Sequence, residues 1–149
     1  MTSIYDAMGG DDAVLRLAHA WHVRCLADPV VSHAFSHGYH PEHSDRLAAY
    51  WAEQLGGPAR YTAEFGDHCG VLHMHAGNGP HPEMDRNAEA CFAGALDDVG
   101  ITEVRLRSTL TAWFAAMIAE MDRYPDTADD VPAGEAVPLW SWEGRVGSR

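Results

Sequence analysis

The segment VLHMHAGNGPHP, residues 71–82, sets His73 and His75 one residue apart and follows them with glycines and prolines. Imidazole is a common metal ligand and the side chain whose charge changes near neutral pH. Three uses are open: the two histidines bind one metal as a pair, one of them ligates alone, or the segment is a polar loop. On a strand both rings would share a face. On a helix, a separation of two residues turns the side chain through about 200° and sends the rings to opposite sides. A paired mononuclear site also requires a third ligand, and no HExxH or Cys/His spacing supplies one. Ten histidines occur, six between His19 and His43 and three between His68 and His75. Most are expected to be solvated surface groups.

The surrounding chain reads as helices joined by breakers. Val14, Leu17, Ala18, Trp21, Cys25 and Leu26 recur at helical spacing over residues 11–27, with Asp11 or Asp12 as N-cap and His22 on the apolar face. Asp28-Pro29 ends that helix. A short helical turn through Val31 and Phe35 precedes a loop, SHGYHPEHS. A helix starting at Pro41 carries His43, Leu47, Tyr50, Trp51 and Gln54 to about Leu55, where Gly56-Gly57-Pro58 stops it. Residues 59–70 read as a loop. Pro82 opens a long helix through Met84, Ala88, Cys91, Phe92, Leu96 and Val99, with Gly100 as its stop. The last helix, capped by Thr102, carries Leu106, Leu110, Trp113, Phe114, Met117 and Met121. No stretch alternates with period two, so the predicted fold class is all-α. Residues 125–149, rich in Pro, Asp, Gly and Ala, are expected to be a loose tail, or one docked through Leu139–Trp142 on the domain or on a second subunit.

Composition narrows the function. With 149 residues and 46% hydrophobic content the chain is globular in class, one domain plus a tail. Its net charge of −12, with arginine as the only strong base, argues against nucleic acid or an anionic membrane as partner. No apolar run approaches the ~20 residues of a membrane span. MTSIYDAMGG has neither a basic nor an apolar signal region, so a cytoplasmic location is expected. Cys25, Cys69 and Cys91 form no CxxC pair, which excludes a zinc ribbon and suits buried thiols in a reducing compartment.

A single histidine on a short segment between apolar helices has a further use. Haem iron needs one proximal imidazole, apolar walls for the porphyrin and a cationic or hydrogen-bonding edge for the propionates. By spacing alone, a structural histidine is the commoner case. The order of motifs adds to this: IYDAMGG at 4–10, LADPVVSHAF at 26–35, LGGPARYT at 55–62, MHAGNG at 74–79 and the Ala90-Cys91-Phe92 triplet. Over residues 4–124 the chain resembles the truncated haemoglobins, and within them group II. That resemblance implies a two-over-two helical sandwich around haem b.

Position by position, the resemblance implies His75 as the proximal ligand, in MHA where the family has RHA or RHL, with His73 facing away from the iron. It places Phe35 on the porphyrin, Arg46 near the propionates and Tyr61 as a second contact there. Leu47, Tyr50, Leu72, Met74, Ala88 and Phe92 complete the implied cofactor-binding positions. Glycines 9, 10, 56 and 57 match those that let short connections turn. The departures lie on the distal side. His22 stands where the family has tyrosine, Ala88 where it has tryptophan, His43 where a small residue is usual, and Leu47 where a polar group is usual. Met74 replaces the basic residue before the proximal histidine. The lost tyrosine and tryptophan are hydrogen-bond donors, each worth about 1.5–3 kcal/mol when the acceptor is charged. His22 and His43 are the available replacements, and His43 is also a candidate sixth ligand. Against these stand a core His22 satisfied by a backbone carbonyl and a solvated His43.

The implied function is binding of O2, NO, CO or peroxide at a haem iron. NO dioxygenase or peroxidase-type chemistry would require an external electron donor. The alternatives are a non-catalytic sensor with six-coordinate iron and a globin-fold domain that has lost haem.

Overall fold

The computed structural model describes residues 2–148. The elements run α1 (Ile4–Met8), α2 (Asp11–Ala27), a 3-10 turn (Val31–Phe35), α3 (His43–Gln54), α4 (Arg60–Glu64), α5 (His68–His75), α6 (Pro82–Asp98) and α7 (Val104–Met121). A second 3-10 turn (Ala128–Asp130) and strands β1 (Pro138–Ser141) and β2 (Gly144–Ser148) follow. The body is all-helical, as expected. No helix among the described residues is long and apolar enough to cross a membrane.

The apolar stripes read from the sequence form the core. α2 packs on α3 and α6, and α6 packs on α7. Between these layers lie Trp51, Phe92, Trp113 and Phe114, all essentially buried. Phe92 stacks on Phe114 at 4.1 Å, and Trp51 meets Trp113 edge-on at 5.3 Å. Trp113 Nε1 donates to Gln54 Oε1 at 3.1 Å, which gives the buried indole the partner it needs. The two glycine-bearing motifs meet although they are far apart in sequence. Tyr5 N donates to Leu55 O, and a Cβ on Gly57 would stand 2.6 Å from the Tyr5 ring. Only glycine permits that approach.

Local expectations are corrected at five places. Residues 59–70 are not a loop: they hold α4 and the start of α5. Burial of Tyr61 secures the first, and the Asp67 side chain caps the second by accepting from Gly70 N at 2.7 Å. α3 starts at His43, not Pro41. Gly10, not Asp11 or Asp12, is the N-cap of α2, and both aspartates complement the helix dipole in its first turn. Glu103, not Thr102, caps α7, its carboxylate accepting from Arg105 N and Leu106 N. Finally, β1 and β2 pair as an antiparallel hairpin in a region where no strand is expected. A bulge between Leu139 and Trp140 breaks the alternation that would have signalled it. The hairpin rests on the body: Trp142 Nε1 donates to Thr2 O at 2.8 Å, and the Arg105 guanidinium lies 4.4 Å from the Trp142 ring centroid.

Candidate functional site

His75 is the last residue of α5, and Val71 lies one turn before it. The His75 ring nitrogen Nδ1 is 2.8 Å from Val71 O, so Nδ1–H donates to the carbonyl and the Nε2 lone pair is left free. The ring keeps solvent-accessible surface, yet protein crowds it enough that burial is the leading cause lowering its pKa. The imidazole is thereby kept neutral at pH 7, the form that can ligate a metal. His73 and Met74 are exposed, Met74 at 68%. Because the segment is helical, His73 and His75 point to different sides, and a shared metal is excluded by geometry.

A second group of rings forms where α2, the 3-10 turn and the start of α3 converge. His22 meets Phe35 at 5.0 Å, Tyr39 at 4.6 Å and His43 at 4.3 Å between ring centroids. Neither nitrogen of His22 has a hydrogen-bond partner, nor does Nδ1 of His43, and all three atoms are buried. The backbone carbonyl that would make His22 an ordinary core residue is absent from its surroundings. A buried polar group left unsatisfied costs about 1–3 kcal/mol. Burial pushes both pKa values down, that of His43 to about 4, with the neighbouring His22 and His40 contributing. Both rings are neutral at pH 7.

The other sequence-assigned residues are distributed around these two groups. Leu72 and Phe92 are fully buried, and Ala88 is buried with its carbonyl accepting from Trp21 Nε1 at 3.1 Å. Leu47 is half-buried. Arg46 lies beside the Phe65 ring and donates to Phe65 O at 3.2 Å. Tyr61 is buried against Tyr50 at 5.2 Å. The Tyr50 hydroxyl is committed to His68 Nδ1 at 2.8 Å.

Sequence reasoning missed two residues of this region. Tyr39 completes the ring cluster; it stands four residues from both Phe35 and His43, but Gly38 and Pro41 interrupt any helical reading. His68, fully buried two turns before His75 on α5, bridges Tyr50 to Glu120, its Nε2 3.0 Å from Glu120 Oε1. Donation from Tyr50 O–H to Nδ1 and from Nε2–H to the carboxylate uses each donor once. Glu120 also accepts from Arg123 at 2.9 Å and faces Arg145 of the hairpin at 3.5 Å. The His68 hydrogen bond first, and then Arg123, holds Glu120 down to about 2. This network anchors the helix that carries His75 to α3 and α7.

A neutral imidazole with a fixed tautomer and a free Nε2, together with buried unpartnered imidazole nitrogens, fits a haem iron and a polar ligand. Comparison with known proteins bears on the family and the fold. The family model of bacterial-like globins matches residues 3–122. The structure is similar to the group II truncated haemoglobin of Bacillus anthracis, at 22% identity and TM-score 0.73, covering 90% of this chain and 97% of that one. It is also similar to the haemoglobin of Chloroflexus aurantiacus, at 24% identity and TM-score 0.69, covering 81% and 98%. The truncated oxygen-avid haemoglobin of Bacillus subtilis aligns at 22% identity and TM-score 0.67, covering 80% and 98%. No curated protein matches the chain significantly. The chain belongs to the bacterial-like globin family and has the truncated-haemoglobin fold.

Proposed function

We propose that this globin holds haem b through His75 Nε2 and takes O2, NO, CO or peroxide beside His22 and His43. The family implies a haem iron and a diatomic ligand such as O2. The observation that carries the residue assignment is the 2.8 Å contact between His75 Nδ1 and Val71 O. A hydrogen bond on one ring nitrogen fixes the tautomer and raises the basicity of the other. Haem b is favoured over a covalently attached haem because the chain has no Cys-x-x-Cys-His run.

Haem iron, when bound, supplies reversible gas binding and one-electron redox chemistry. The chain's part is to shape and poise the site. Phe35, Leu47, Tyr50, Leu72, Ala88 and Phe92 are assigned to the walls, Arg46 and Tyr61 to the propionate edge, and Met74 to the neighbourhood of His75. On the distal side the N–H groups of His22 and His43 donate to a polar ligand, or pass a proton to peroxide. NO dioxygenation or peroxide turnover at this site draws electrons from an external donor, in keeping with a cytoplasmic setting.

A second reading is favoured by one feature of His43. Its ring is neutral at pH 7 and its Nδ1 has no partner, so a nitrogen lone pair is uncommitted and could serve as a sixth ligand. The protein would then act as a sensor rather than a catalyst. Haem titration of the purified chain tests the main reading. One haem per chain is expected, and His75→Gly should lose axial ligation and regain it when free imidazole is added. A His75→Gly spectrum identical to wild type contradicts the assignment.

A further inference from the structure

His81 is the residue just before α6, and Asp85 lies one turn into that helix, a spacing that places both on one face. Asp122 is the first residue beyond α7. One nitrogen and one oxygen from each carboxylate lie within 4.8 Å of one another, and all three residues are half-buried. His81 Nδ1 is 2.9 Å from Asp85 Oδ1, and its Nε2 is 3.5 Å from Asp122 Oδ1. The arginine ion pairs among the described residues go elsewhere, to Asp98, Glu64, Asp97, Glu120 and Glu135. Two carboxylates thus share one imidazole.

Position adds to this imbalance. Asp122 sits where the carbonyl dipoles of α7 concentrate negative charge, so a cation is favoured there beyond what the side chains alone would attract. The three donors are also held in place. His81 is the N-cap of α6 and Asp85 lies in its first turn, and beside the third Gly77 N donates to Tyr124 O and Gly79 N to Pro125 O, each at 2.9 Å. One imidazole and two carboxylates suit a borderline first-row cation; Mg2+ and Ca2+ prefer oxygen alone.

We propose that His81, Asp85 and Asp122 form a three-ligand site for Zn2+ or a neighbouring first-row divalent cation. It staples the start of α6 to the end of α7. Bond lengths of about 2.0–2.2 Å require the three side chains to turn so that one imidazole nitrogen and one oxygen of each carboxylate face a single point, and the fourth position is left to water. The site is separate from the haem reading and does not depend on it. It does act on the same region, because residues 76–81 are the connection that leaves His75 and ends at this cluster.

The test is calorimetric titration of the chelator-stripped full chain with ZnCl2 in a non-coordinating buffer, paired with thermal melts. One saturable equivalent and a raised melting temperature are expected. Asp85→Asn and Asp122→Asn, which keep side-chain size, should each weaken binding more than ~10-fold. The combined His33→Ala, His37→Ala and His40→Ala variant should bind as wild type does. Circular dichroism without metal verifies folding, and His81→Gln serves if either Asn variant fails that check. Three results would overturn the proposal: no saturable binding, binding that survives both Asn variants, or binding lost with His33, His37 and His40.

Discussion

His22 of α2 and His43 at the start of α3 face each other with ring centroids 4.3 Å apart and planes inclined by 32°. Three of their four nitrogens are buried without a partner, and both rings are neutral at pH 7. A cluster built only for packing would contain apolar side chains here, whereas this pair keeps polar nitrogens buried without a partner.

Removal of either donor should therefore be visible in ligand kinetics. In haem-loaded protein, His43→Ala is expected to raise the O2 dissociation rate about 10- to 100-fold, the equivalent of one hydrogen bond to a charged acceptor. His22→Phe should act in the same direction. Stopped-flow rates unchanged in both variants would exclude the pair as distal donors.

Acid stability should report the anchor of α5. Glu120 has its folded pKa near 2, below its ordinary value of 4.5. Its contribution is therefore complete above about pH 4.5 and is lost as pH falls from there towards 2. Glu120→Gln is expected to lower stability at neutral pH by about 2–3 kcal/mol and to flatten the acid limb. Denaturant melts at a series of pH values measure both effects.

The cap of α5 should affect cofactor retention. Asp67→Ala removes the acceptor of Gly70 N and should destabilise α5 by about 1 kcal/mol. Because His75 ends that helix, haem transfer to an apo-globin acceptor is expected to be faster in this variant. An unchanged transfer rate would show that α5 is held by its packing alone.

The hairpin should stabilise the fold without shaping the site. Trp142→Ala loses the bond to Thr2 O and the Arg105 contact, together about 1–2 kcal/mol. A lower melting temperature with unchanged haem stoichiometry is the expected result.

The long helices α2, α6 and α7 were legible because their apolar residues recur over several turns, and the Gly and Pro residues marked their ends. α4 and the beginning of α5 were not, since each is short and depends on the burial of Tyr61 and His68 rather than on local pattern. The hairpin escaped for a related reason: its strands are brief and bulged. In the candidate site, motif order singled out His75, and its contact with Val71 O follows from one helical turn. His68 left no signal, because Tyr50 and Glu120 reach it from other helices. Tyr39 lay behind Gly38 and Pro41, which argued for a loop.

The most direct test of the central claim is the absorption spectrum of the purified protein with His75→Ala and His73→Ala. An intense Soret band in wild type and His73→Ala, lost or displaced in His75→Ala, is the expected result. No haem uptake by wild type, or a band lost in His73→Ala and kept in His75→Ala, would contradict the account.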